Sequence, residues 1–294
     1  MPREQCDLVV TTDVLVEGVH FAPDTDAEAI GYKALAVNLS DLAAMGAEPA
    51  WASLNLSLPN ADDAWLSKFS GGFSALAREF GVALIGGDTV SGPLVIGVQL
   101  IGYVVAGRAL RRDGANIGDR IYITGTLGDA ALGLMDRRGG LALADSDRAY
   151  VQQRLERPTP RVGCGLAIRG LASAAIDVSD GLVADLGHVL RASGVGARVE
   201  LSQLPLSAAY RRCNPGWAPA LSHGDDYELC FTAPGEHDQA VRRALDDQSV
   251  SCAVIGVVDR DPGLRLIATS GAVYGHSATG YQHFTNRTDP GVMC

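Results

Sequence analysis

The chain has 294 residues, 47% of them hydrophobic and 20% charged, with a formal net charge of −10. That length suits two ordinary domains or one large α/β domain, and so apolar a composition builds a real core, which excludes disorder as the main state. The acidic balance excludes a nucleic-acid binder that works through broad positive charge, and no apolar run approaches the ~18 residues a membrane span needs.

The predicted elements alternate along the first part of the chain. Leu8 to Val16 is β-branched and apolar and reads as a strand. Ala27 to Met45 follows the possible cap Thr25 or Asp26, ends at Gly46, and reads as a helix. In Trp51 to Leu58, Ala52, Leu54, Leu56 and Leu58 alternate with polar residues, the pattern of a half-buried strand. Trp65, Phe69, Phe73, Leu76 and Phe80 recur at spacings of three and four, an amphipathic helix. Val82 to Ile85 and Leu94 to Val105 read as strands. A boundary is expected near residues 106–112, where Arg111-Arg112-Asp113-Gly114 breaks the apolar run.

Beyond it, Arg120 to Thr124 is a predicted strand and Ala130 to Met135 a predicted helix. Asp136 to Asp147 reads as an exposed connection. Helices are expected over Leu182 to Ala192 and His237 to Leu245, with strands around Val199, Leu229 and Val254.

Several function classes drop out. The only lysines, Lys33 and Lys68, follow Tyr32 and Ser67, so neither completes a G-x-x-x-x-G-K-[ST] phosphate loop. The V-A-I-K and H-R-D strings of protein kinases are missing. The six cysteines (Cys6, Cys164, Cys213, Cys230, Cys252, Cys294) are scattered without a C-x-x-C pair, and the first residues, Met1 to Cys6, carry no apolar signal segment. Both features fit reduced thiols in a cytoplasmic protein rather than a disulfide frame or a zinc site.

The functional signal is a set of aspartates beside glycine, serine or threonine at the expected ends of apolar strands. These are Thr11-Thr12-Asp13, Asn38-Leu39-Ser40-Asp41, Gly86-Gly87-Asp88-Thr89, Asp177-Val178-Ser179-Asp180-Gly181 and Gly224-Asp225-Asp226-Tyr227-Glu228. Singly, an Asp after a strand is more often a turn former or helix cap than a metal ligand, and Asp180 could simply cap the helix at Leu182. Asp41 resists that reading, because it lies inside an apolar helical run where a charge is costly unless exposed or paired. Several carboxylates in one crevice need a cation to hold them together, and oxygen ligands without a Cys or His cluster point to Mg²⁺ and hence to phosphate. Arg111 and Arg112 are either solvated or a phosphate clamp. His20 stands out among the histidines, seven residues after Asp13 and across a probable turn at Gly18.

The strings Thr11–Phe21, Tyr32–Ala47, Gly86–Thr89, Ile176–Leu182 and Asp226–Phe231, continued to Gly280-Tyr281-Gln282-His283-Phe284, closely resemble the thiamine-monophosphate kinase family. The resemblance implies an α/β (α+β) fold like that of aminoimidazole ribonucleotide synthetase, with mixed sheets flanked by helices in two domains. These are an ATP- and Mg²⁺-binding, dimerising half over 1–108 and a C-terminal half over 109–294. It implies transfer of the γ-phosphoryl group of ATP to thiamine phosphate by a homodimer, with no nucleic-acid or membrane partner. By match of motif, Thr11, Thr12, Asp13, Asp41, Asp88 and Asp177 would bind Mg²⁺ and Asp180 a further ion. Gly87, Asp88, Arg112 and Ser179 would contact ATP, and His20, Asp225 and Tyr281 would face thiamine phosphate. No residue is expected to act as a general base.

Two departures accompany the resemblance. The family opens with a longer segment bearing a Gly-Asp-Asp metal motif, whereas this sequence is expected to start just before the second strand. Three explanations stand open: a misassigned start, a truncation, or a natural inactive nucleotide- or thiamine-binding relative. Another ATP-dependent synthetase of the same superfamily is the alternative function, and the missing strand is expected to loosen the dimer. The second departure is Asp225, where the family usually carries Glu.

Overall fold

The computed structural model describes residues 5–275 together with 280 and 281. Cys294, His276, His283 and the Gln282–Phe284 end of the last string lie outside the described residues. The first part of the chain comprises β1 (Cys6–Val16), α1 (Ala27–Ala44), β2 (Glu48–Leu58), α2 (Asp63–Glu79), β3 (Ala83–Ser91) and β4 (Val95–Val105). After a connection without helix or strand come β5 (Arg120–Thr124), α3 (Asp129–Arg137), α4 (Asp145–Glu156), α5 (Val162–Ala167), β6 (Ala174–Asp177) and α6 (Leu182–Ser193). The chain continues through β7 (Gly196–Glu200), α7 (Ala208–Cys213), α8 (Ala218–Ser222), β8 (Leu229–Ala233), α9 (Asp238–Asp246), β9 (Cys252–Asp259) and β10 (Gly263–Ile267).

Two mixed sheets result, in the α/β arrangement expected. One has the order β1-β4-β2-β3, antiparallel except for the β2–β3 pair, and the other the order β10-β7-β9-β5-β8-β6, antiparallel except for β10–β7. Helix α1 lies between them. Its Leu35, Leu39 and Leu42 are fully buried, in one core with Ile96 and Leu100 of β4, Val162 and Cys164 of α5, and Ala175 of β6. A helix covered on several sides is apolar nearly all round, which explains the long alanine- and leucine-rich run. Asp26 caps its start, accepting a hydrogen bond from the Glu28 backbone N–H.

Helices α1 and α2 cross at two reciprocal glycines. A Cβ on Gly31 would stand 2.0 Å from the Phe69 carbonyl oxygen, and one on Gly72 1.9 Å from that of Glu28. Backbone therefore meets backbone, and no side chain fits between. Gly31→Ala is expected to destabilise the protein by about 1–3 kcal/mol, because the helices must separate and the packing beneath them must shift. Urea unfolding measures this, and a wild-type midpoint would mean that the helices part freely.

Five expectations need correction. Strand β3 runs on to Ser91, so Gly86, Gly87 and Asp88 lie within a strand rather than past its end. The ladder continues because Gly87, at φ +144°, passes so near Leu54 that a Cβ would stand 1.7 Å from its carbonyl oxygen. Asp13 likewise lies inside β1, and the Gly224–Glu228 segment precedes β8 instead of following a strand. The exposed connection after Met135 is shorter than expected, since α3 reaches Arg137 and α4 begins at Asp145. His237 belongs to a 3₁₀ turn ahead of α9 rather than to the helix.

Candidate active site

Helix α1 carries the site's side chains toward three other elements. Near its start Lys33, 4% exposed, reaches with its ammonium Asp225 Oδ2 at 3.0 Å and the His20 carbonyl at 3.3 Å. Two turns on, about 10 Å along the axis, Ser40 Oγ donates to Asp177 Oδ2 at 2.7 Å, and Asp41 accepts a short bond from Thr11 Oγ1. The helix thus joins β1, the C-terminal end of β6 and the loop before β8.

Around Asp41 the carboxylates crowd. Asp13 alternates with the outward residues of β1 and faces the helix side; burial first, then the charges of Asp41 and Asp180, push its carboxyl up to about 7. Asp177, 3% exposed, is pushed up to about 8 by burial and then by Asp41, while the Ser40 hydroxyl partly offsets this. Burial also raises Asp41, against the pull of the Thr11 hydroxyl and the Arg112 guanidinium. Such a group repels its own negative charge, which is the electrostatic condition for attracting a cation. Among the described residues no three acidic, His or Cys side chains close around one ion.

The segment after β6 forms a platform beside this cluster. Asp185, in the first turn of α6, accepts from the Ser179 and Asp180 backbone N–H groups at 3.1 and 3.0 Å. Asp180 does not cap α6; Gly181 takes that position at φ +107°. Tyr281, 43% exposed, donates its backbone N–H to the Asp180 carbonyl at 3.0 Å. The loop with Gly224 and Asp225 lies over the same segment, the Asp225 N–H bonding the Ser179 carbonyl at 2.9 Å. His20 Nδ1 accepts from the Val16 N–H at 2.9 Å, which leaves the ring proton on Nε2.

Asp13, Asp41, Asp177, Asp180, Ser179, His20 and Asp225 are therefore tied together through α1 and the platform, with Arg112 near enough to lower Asp41. Thr12 points to the opposite face of its sheet, within 3.4 Å of Gln99. Gly87 and Asp88 stand apart: the row Asp13–Val98–Leu54–Gly87 crosses the whole sheet, three strand spacings or about 14 Å. Sequence reasoning did not anticipate the contacts of Lys33, Ser40, Asp185 and Tyr227. Lys33, Ser40 and Tyr227 lay inside the quoted strings, and the only further signal was that of a lysine inside an otherwise apolar helical run.

The comparisons with known proteins bear on the family and the fold. The model of the AIR synthase related protein N-terminal domain matches residues 1–104, and that of the C-terminal domain matches 116–269. Thiamine-monophosphate kinase of Salmonella typhimurium is 49% identical over 289 residues, covering 97% of this chain and 88% of the relative. The crystal structure of thiamine-monophosphate kinase from Stenotrophomonas maltophilia K279a is 48% identical, with a TM-score of 0.87 over 90% of this chain and 86% of that one. AaThiL complexed with AMPPCP and TMP is 32% identical, with a TM-score of 0.85 over 97% of this chain and 89% of that one. With its acidic cluster, platform and two sheets arranged as described and this identity running nearly end to end, the chain belongs to the thiamine-monophosphate kinase family.

Proposed function

We propose that this chain transfers the γ-phosphoryl group of ATP to the phosphate of thiamine phosphate, releasing thiamine diphosphate and ADP. The observation that carries the reading is α1, which sets Ser40 and Asp41 in the acidic cluster two turns from Lys33 and its partner Asp225. The complex of a 32% identical relative with AMPPCP and TMP supports it.

Asp13, Asp41 and Asp177 are the residues that would hold Mg²⁺, with Thr11 and Asp180 beside them; Thr12, on the opposite face of its sheet, and Asp88, on the far edge strand, stand away from this cluster. Bound there, Mg²⁺ would supply charge neutralisation for the facing phosphates and electrophilic stabilisation of the transferring group. Gly87, Asp88, Arg112 and Ser179 contact ATP: Ser179 lies on the platform, and Arg112 offers a guanidinium beside the cluster. His20, through Nε2–H, Asp225 and Tyr281 face thiamine phosphate. The attacking phosphate oxygen is already ionised at neutral pH, so the chain needs no general base.

Coupled ADP release with thiamine phosphate and Mg²⁺ tests the activity. Chelation by EDTA is expected to abolish turnover and to weaken ATP binding in calorimetry by at least about tenfold, since two like-charged partners then meet without a cation. ATP binding unchanged in EDTA would defeat the metal assignment.

The proposed assembly is a homodimer through the first sheet, with residues 1–108 as the nucleotide- and dimer-forming half. Leu8, Val10 and Val14 alternate along β1 on one face and are 56%, 54% and 50% exposed. Such an apolar face is costly in water and is covered by a second copy in this reading. Light scattering over a concentration series is expected to give a dimer, and Val10→Asp to shift it toward monomer. A wild-type protein that stays monomeric at high concentration contradicts this. The cytoplasm is the proposed location: the cysteines among the described residues are free, and no helix among them is long and apolar enough to cross a membrane.

A further inference from the structure

The chain has two lysines, and they differ sharply: the Lys68 side chain is 65% exposed, that of Lys33 only 5%. A buried ammonium persists only where acceptors replace its water. Lys33 has two, and they belong to separate elements, the His20 carbonyl in the turn after β1 and the Asp225 carboxylate in the loop before β8.

Asp225 is held from the other side as well. Its Oδ1 accepts from the Tyr227 hydroxyl at 3.1 Å while Lys33 occupies Oδ2. The backbone that presents it is unusual, with Asp225 at φ +61° and Tyr227 at φ +51°, both in the left-handed region. Each such residue costs of order 1–3 kcal/mol and persists only where its surroundings over-determine it. Here the Asp225 and Tyr227 N–H groups bond the Ser179 and Val178 carbonyls, each at 2.9 Å. An exposed carboxylate ordinarily rotates freely, yet this one, with 36% of its side chain exposed, is fixed on both oxygens. Each oxygen keeps a second lone pair for a ligand.

Resting on the proposed function, we infer that Lys33, with Tyr227, is a positioning residue for the acceptor substrate. It fixes the Asp225 carboxylate and the His20 turn at one separation, so that a cationic heteroaromatic monophosphate meets a preset pair of groups. Lys33 acts through Asp225 and not on the transferring phosphoryl group, because two of its three N–H donors are held by protein acceptors and its side chain is only 5% exposed.

The test compares wild type, Lys33→Met, Asp225→Asn, the double variant and Tyr227→Phe, with KM and calorimetric affinity measured separately for thiamine phosphate and for ATP with Mg²⁺. Lys33→Met is expected to raise the thiamine phosphate KM about tenfold or more, the scale of a lost charged hydrogen bond, and to change the ATP KM less than about twofold. The double variant is expected to be no worse than Asp225→Asn alone, the non-additivity of groups that act as one. Tyr227→Phe removes a neutral donor and unpairs no buried charge; its smaller shift in the same direction carries the test should Lys33→Met fail to fold. Equal rises in both KM values, additive losses, or an unchanged thiamine phosphate KM in an active Lys33→Met enzyme overturn the positioning role alone. A wild-type protein that binds no thiamine phosphate overturns the function and the inference with it.

Discussion

Asp177→Asn is expected to lower kcat by about 10³-fold, the loss typical of removing one preorganised charge-stabilising group, while the protein stays folded. Asparagine keeps the shape at the end of β6 and can still accept from Ser40, so only the negative charge goes. The same residue sets a pH dependence. Its carboxyl is pushed up from 3.8 to about 8 by burial and by Asp41, and those of Asp13 and Asp185 up to about 7, chiefly by burial. The folded chain then holds protons that the unfolded chain has already released. Their stabilising contribution is complete below about pH 4 and is lost as pH rises through 7 to 8. Melting of the metal-free protein is therefore expected at a lower temperature at pH 8 than at pH 6, with a flatter slope in Asp177→Asn. Wild-type turnover in the variant, or an identical slope, would sink the assignment of Asp177.

Glu228→Ala carries the largest expected loss of stability, about 3–5 kcal/mol, or a fall in Tm of roughly 10 °C. Its side chain is 1% exposed and accepts from Arg161 Nε and Nη2 at 2.6 Å, from Arg154 Nη2 at 2.8 Å and from Thr124 Oγ1 at 2.7 Å. Arg154 also donates to the Asp226 carbonyl at 3.2 Å, so the cluster anchors the loop that presents Asp225. Removing the carboxylate leaves two guanidiniums facing each other with little water. Replacing all three groups by apolar residues of similar volume would cost far less, because no charge is then stranded. Urea and thermal unfolding measure the single change, and a loss below about 1 kcal/mol would mean that water enters and screens the pair.

Much of the fold was legible because its elements carry strong periodic signals. The aromatic spacing from Trp65 to Phe80 marks α2, which spans Asp63–Glu79, and the alternation from Ala52 to Leu58 marks β2. Elements with weak signals were missed. Helix α4 buries only Asp147, Val151 and Leu155, a stripe too thin to stand out among polar residues. Helix α5 has six residues, too short for any period to register.

The sequence by itself determined the family, the acidic character of the site and the strings that carry it, because these depend on local order and residue type. Only the tertiary structure decided which groups meet. Lys33 and Asp225 are 192 residues apart in the chain, and Ser40 and Asp177 are 137 apart. Spacing says nothing about such pairs; they form because α1 is buried between two sheets and its few polar side chains must find partners there. The same packing separated what the motifs had grouped, leaving Asp88 on the edge strand opposite Asp13. Strand order, which sets that distance, is a property of the whole sheet and of no single segment.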